Sequence, residues 1–261
     1  EISKCNRSIV LAAVQQTGQA LKFAGHDVKN DYEIVLAAVQ KNEFALMYAG
    51  VHLKNNRDIA LAAVQKAGCA LQFVGTDLKN DREFILSAIQ HSESAWEYAG
   101  ENVKNDHEVV LAAVQHNGDA LKYAGEQLRN DRQIVLAAVQ HSGCLLQYAS
   151  QDLQNDFEIV HAAVQQHWLA LRYAGGNLKN DREIVLAGVQ QEGAALEYAG
   201  EDLTDDLDVV LVAVQQNGLA LEYAGEALKN NRKIVLTAIQ QGADALKYAG
   251  AQLRNDREFI L

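Results

Sequence analysis

The stretch "LKNDREIVLAGVQQEGAALEYAG" (residues 178–200) recurs ten times with small variations at a strict interval of 25 residues, as in "VKNDYEIVLAAVQ" (28–40) and "LRNDRQIVLAAVQ" (128–140). No insertion or deletion interrupts the period. An unbroken period of this length marks a repeat array, so the 261 residues are read as one continuous stack rather than as one or two ordinary domains. Because the chain begins and ends in mid-repeat, it reads as a fragment of something longer.

Residues 26–50, "HDVKNDYEIVLAAVQKNEFALMYAG", serve as the unit. Asn30, with Asp31 and Glu33 after it, predicts a helix start: Asn as N-cap, acid in the first turn, and Glu three positions on to close a capping box. Asn holds this slot at 30, 55, 80, 105, 130, 155, 180, 230 and 255, and Asp205 is its one substitute. Ile34, Val35, Leu36, Ala38 and Val39 then fall at helical spacing and predict a core-facing helix. A break at 41–43 precedes a second, shorter helix carrying Ala45, Leu46, Tyr48 and Ala49. Glycine follows at 25, 50, 75, 100, 125, 175, 200, 225 and 250, where a left-handed turn is expected. Two short helices cannot bury both their apolar faces alone, so each repeat must stack on its neighbours. The expected fold is all-α: an α-solenoid of about ten helix-turn-helix units.

The signature "VLAAVQxNGxALxYA", nearly intact in "VLVAVQQNGLALEYA" (210–224) and "VLAAVQHNGDALKYA" (110–124), resembles a repeat family catalogued as a domain of unknown function. That family's unit of roughly 50 residues is two of these repeats, and it occurs in bacterial, protist and large-virus proteins. The resemblance implies fold and modularity; it carries no activity, cofactor or catalytic residue.

Bulk composition narrows the function classes. The chain is 49% hydrophobic and 22% charged, has no proline and carries a net charge of -11. That balance argues for order throughout and against a large nonspecific attraction to nucleic-acid phosphate or anionic membrane. Cys5, Cys69 and Cys144 are too widely spaced for a metal knuckle or a disulfide framework, which favours a reducing intracellular compartment. No apolar run is long enough to span a bilayer, no secretory signal opens the chain, and no HExxH, CxxC or clustered carboxylate set predicts a metal.

Several slots invite a chemical reading. Gln15, Gln40, Gln65, Gln90, Gln115, Gln140, Gln165, Gln190, Gln215 and Gln240 form the one row identical in every repeat, expected to act as a structural ladder of amides that sets the stacking register. A row of Phe or Tyr from Phe23 to Tyr248 is expected in or near the core. Lys4, Lys29, Lys54, Lys79, Lys104, Arg129, Lys179, Lys229 and Arg254 share one slot, and Arg7, Arg57, Arg82, Arg132, Arg182, Arg232 and Arg257 another. Acids stand beside the arginines, so this edge reads as an alternating-sign solvated face rather than a phosphate track. His91, His116 and His141 form a surface row.

The pattern breaks most densely between 145 and 168, where Leu145 replaces alanine, Ser150 replaces glycine, Gln154 replaces lysine, Phe157 replaces arginine, His161 replaces the core leucine, and Trp168, beside His167, replaces the inter-helix glycine. Local repacking and a specialised protein-binding spot both account for such a cluster. Trp96 in the leucine slot is a milder departure of the same kind. The sequence therefore points to a noncatalytic protein-interaction scaffold or structural subunit, without cofactor or metal, binding another protein or assembly. The alternative is a targeting or regulatory repeat region of a larger enzyme whose catalytic domain lies outside these residues.

Overall fold

The computed structural model describes residues 4–256 and 258, with side chains from Arg7 onward. The side chains of Lys4 and Cys5, and all of Arg257, lie outside that range. The described residues are helical and contain no strand. They fall into two compact units, Glu1–Leu128 and Arg129–Leu261, each a stack of the 25-residue repeats and together an all-α repeat solenoid in class.

Counted from one N-cap to the next, as in residues 31–55, one repeat holds three helical pieces rather than two, and Lys29 and Asn30 close the repeat before it. The first is an α-helix of 10 residues, such as Tyr32–Lys41. Its buried residues Ile34, Val35, Ala38 and Val39 lie on one side, as helical spacing requires. Asn42 is extended, with φ -149° and ψ 115°, and ends the helix. A 3-10 helix, Glu43–Tyr48, follows and buries Ala45 and Leu46 completely. Its tighter winding fits an apolar pair into six residues. The third piece is a single turn, Val51–Lys54, which buries Leu53.

The first helix starts one residue later than the Asn row suggests. Asp31 is the N-cap, its carboxylate accepting the Ile34 N–H at 3.1 Å; Asp81, Asp106, Asp131, Asp156, Asp181 and Asp206, with Asn56 and Asn231, play the same part. Glu33 thus falls a position early for a capping box and points to a partner in the preceding repeat instead.

The Asn row and the glycine row meet between repeats. Gly50 N–H donates to the Lys29 carbonyl of the previous repeat at 2.7 Å, and nine such rungs, at 2.7 to 2.9 Å, occur at residues 50, 75, 100, 125, 150, 175, 200, 225 and 250. The backbone lies so close that a Cβ on Gly50 would stand 1.8 Å from Asn30 Oδ1. No glycine has a positive φ, so the expected left-handed turn does not form; glycine is present because the neighbouring Asn leaves no room. Asn30 is held there by its Nδ2, which donates to the His26 carbonyl at 2.9 Å. Ser150 is the one non-glycine at this position, and its hydroxyl donates to Asn130 Oδ1 at 2.5 Å.

A second glycine slot works by the same crowding. A Cβ on Gly18, Gly143, Gly193 or Gly218 would meet the carbonyl oxygen of an alanine in the following repeat at 2.0 to 2.3 Å. Glu43, Glu93 and Trp168 occupy this slot in other repeats, and across those three joints the successive 3-10 helices pack less closely. The sequence therefore sets joint width locally, one residue at a time.

Gly143→Ala should lower unfolding stability by about 1–3 kcal/mol, the usual cost of forcing an extra methyl against fixed atoms. Gly176→Ala, where a Cβ meets nothing within 4 Å, should be neutral or stabilise by up to ~1 kcal/mol. Urea titrations of the two variants check the contrast.

Candidate functional site

Most of the basic edge is engaged in joining repeats. Arg7 spans to the next repeat, its Nε donating to Asp31 at 2.8 Å and its guanidinium also reaching Glu33. Arg57, Arg132 and Arg182 clamp the equivalent acid pairs, while Arg82 takes Glu108 and Arg232 takes Asp256. Partial burial pushes the Asp31 carboxyl up, but the Arg7 guanidinium and the Ile34 N–H outweigh it and hold the group below the usual carboxylate range. Asp156 is held down in the same way by the Ile159 N–H and Arg132. These acids each cap a helix and anchor the preceding repeat.

From Lys29 to Lys229 the lysine slot is half-buried instead of forming an outward stripe, and Arg254 is exposed. Lys79 and Lys104 donate to the backbone carbonyls of Gln72 and Glu97, at 2.8 and 2.9 Å. Burial pulls the Lys79 ammonium below its usual range, and repulsion from Lys104 and Lys54 adds to the effect. Gln154, the non-basic member of this slot, reproduces the latch by donating to the Leu146 and Ala149 carbonyls.

The invariant glutamine row does not form the expected ladder. All ten side chains are exposed, and among the described residues the only side-chain hydrogen bond from the row is Gln165 to His161, at 3.4 Å. Register is set by the glycine rungs and arginine clamps. The tyrosine row is half-buried from Tyr48 to Tyr248, with Lys or Arg over the rings of Tyr123, Tyr173 and Tyr248. Phe23, by contrast, is 85% exposed. The leucine slot holding Leu36 and His161 is half-buried at the surface, so His161 replaces no core residue.

The irregular residues fall into two clusters. Phe157, His161 and Gln165 lie one turn apart along the exposed side of the helix Phe157–Gln166, and the Phe157 and His161 rings stack at 5.6 Å with an 8° interplanar angle. Phe157 stands where an arginine would clamp Asp181 and Glu183, and His161 Nε2 approaches Glu183 at 3.7 Å in its place. At the other end of that helix, His167 Nδ1 accepts the Leu169 N–H, while Trp168 stacks between His167 and Tyr198 at 5.9 and 6.3 Å. Burial, and then the Glu197 charge, pushes the Tyr198 phenol up. Ser150 belongs to neither cluster; its hydroxyl is engaged at the Asn130 joint.

Among the described residues no group of three or more His, Cys, Asp or Glu is gathered as for a metal, and no helix is long and apolar enough to cross a membrane. A feature not singled out from sequence is a crevice beside Trp96, built where Glu93 widens a joint. Comparing slots 43 and 66 with 93 and 116 would have revealed it.

Asp156→Ala should cost about 1–2 kcal/mol through loss of the cap. Asp156→Asn, which keeps a cap and loses the charge, should cost less. The depressed carboxyls contribute stability that is complete above the unfolded value of about 3.9 and disappears as pH falls through the lower folded value. The melting temperature of Asp156→Asn should accordingly fall less between pH 5 and pH 2.5 than that of the parent chain, as thermal scans at stepped pH would show.

The family profile described as Domain of unknown function (DUF4116) matches residues 6–54, 33–79, 81–129, 131–179, 156–204, 206–254 and 231–261. Several matches overlap by one 25-residue repeat, as they must if a two-repeat profile can settle on either register of a uniform array. No curated protein and no solved structure matches the chain. Tandem matches over nearly its whole length make the chain a member of the DUF4116 family, built throughout from that repeated domain.

Proposed function

We propose that the array is a noncatalytic scaffold that binds another protein through the irregular surface of the repeats around 157–168. The observation that carries this reading is where the irregularity lies. Ile159, Val160, Ala163, Val164, Ala170 and Leu171 keep the repeat's core fully buried; of the side chains that break the pattern, Leu145 is buried, while Phe157, His161, His167 and Trp168 stand on the surface.

A repair of core packing accounts for Leu145 but not for the changed residues on the surface. Here an arginine that would join two repeats is replaced by a phenyl ring 37% exposed to solvent, and Asp181 and Glu183 keep their acids without the arginine that clamps such pairs elsewhere. Stability is given up at a surface position, which is the signature of a recognition residue. Aromatic side chains fixed by stacking are efficient anchors because they bring large contact area and have little freedom to lose. The acids beside Phe157 and the chain's net charge of -11 favour a partner with basic residues around an apolar contact.

Phe157→Arg restores the regular clamp to Asp181 and Glu183. It should raise stability by about 0.2–1 kcal/mol, the range of an exposed ion pair. It should also reduce capture of a stoichiometric protein partner at least tenfold relative to the parent array; unchanged capture by Phe157→Arg together with Trp168→Ala would remove this surface from the mechanism.

A further inference from the structure

Two of the three widened joints are bridged by a hydrogen-bond donor from the following repeat. At Glu43 the donor is Lys66, whose Nζ donates to the Gln40 carbonyl at 2.7 Å and stands 3.9 Å from the Glu43 carboxylate. At Trp168 it is Gln191, whose Nε2 donates to the Val164 carbonyl at 2.6 Å. Lys66 and Gln191 occupy the same repeat slot, and at the third joint that slot holds His116.

Among the described residues His116 makes no hydrogen bond to the preceding helix. A crevice of about 40 Å³ remains there, lined by Glu93, Trp96, His116, Asn117, Asp119 and Tyr123. That volume admits about one group the size of a water molecule, which is the size of a single ammonium head.

The crevice has the chemistry of an unfilled cation position. Asn117 Nδ2 donates to Glu93 Oε2 at 2.6 Å and orients the carboxylate, leaving Oε1 available. Neither Glu93 nor Asp119 has a salt-bridge partner among the described residues. The helix Arg82–His91 ends at this joint, and the unpaired carbonyls of a helix C-terminus attract positive charge. Trp96 is 3% exposed and its indole N–H is committed to the Ala120 carbonyl at 2.9 Å, so it is a fixed apolar wall. Lys104 and Lys122 already stand over the Tyr123 ring, which places an incoming cation toward Glu93.

We propose that this crevice takes a primary ammonium group from outside the chain, seated as Lys66 seats its own, between the Glu93 carboxylate and the carbonyl end of the helix Arg82–His91. The ammonium chemistry is common to a lysine side chain of a protein partner and to a free alkylamine. The site uses none of the residues at 157–168, so it stands or falls independently of the surface proposed there.

The test uses the full chain carrying Trp168→Phe, which leaves Trp96 as its one tryptophan. N-acetyl-lysine methylamide is titrated at low salt while Trp96 fluorescence is followed, with the norleucine analogue as an uncharged control. Saturable binding with a Kd on the order of millimolar is expected for the lysine probe alone. Glu93→Gln should weaken it about tenfold. His116→Lys, which copies Lys66 and supplies the ammonium internally, should abolish it while leaving the array folded. A lysine-containing peptide binding tighter than butylamine identifies a protein side chain as the source, and equal affinities identify a free amine. Absence of saturation, an equal response to norleucine, or undiminished binding by His116→Lys would overturn the proposal.

Discussion

The structure depends on a close approach of backbone to backbone, the rung from the residue-50 N–H to the residue-29 carbonyl of the previous repeat. A hydrogen bond of this kind contributes on the order of 1 kcal/mol net, but its geometric consequence is larger than its energy. The rung fixes where the single-turn helix Val51–Lys54 begins, and the next N-cap, Asn56, follows six positions after Gly50. That N-cap slot is also where the arginine of the preceding repeat lands, as Arg57 does on Asp81. An inserted residue anywhere between rung and cap would break both contacts together. The strict period of 25 is thus a register condition imposed by two contacts on the same short segment.

Crowding explains both glycine rows, and it makes joint width adjustable. At Gly18, Gly143, Gly193 and Gly218 the 3-10 helix lies against an alanine carbonyl of the following repeat, and at Gly68 against Ser92; where the slot holds Glu43, Glu93 or Trp168, the successive 3-10 helices stand further apart. A widened joint leaves polar groups at the end of the preceding helix to be satisfied, and Lys66 and Gln191 do this from the following repeat. The slot that widens a joint and the slot that fills it therefore act as a pair 23 residues apart, as in Glu43 with Lys66.

Much of this was legible in sequence. The repeat period and the core slots follow from helical spacing, and Ile34, Val35, Ala38, Val39 and Leu46 are buried as expected. Other assignments failed for identifiable reasons. Asn30 and Asp31 are both good caps, and only the Asn contact with Gly50 decides that Asp31 takes the cap. Glycine after a helix usually reports a left-handed turn, but a contact made by the next repeat gives the same residue and has no local signature. Invariance of the glutamine row suggests internal bonding, yet the amides face solvent, so recurrence within a chain does not by itself distinguish an inward constraint from an outward one. Trp96 was visible as an exception, but its meaning required pairing Glu93 with His116 across repeats.

A repeat array can hold such exceptions at modest cost. In a single-core domain, opening space beside a tryptophan would remove contacts on which the whole core depends, and comparable cavities cost about 2–5 kcal/mol. In a stack, stability is close to a sum of repeat and nearest-neighbour terms, so a loose joint reduces one term and leaves the others intact. The loose joint at Glu93 is followed within the same unit by the tight rung from Gly125 to Lys104, which keeps the two repeats in register on their far edge. One edge of the joint carries the register while the other is free to diverge in sequence. That division of labour allows a chain whose repeats are nearly identical inside to acquire distinct surface chemistry at a few chosen joints.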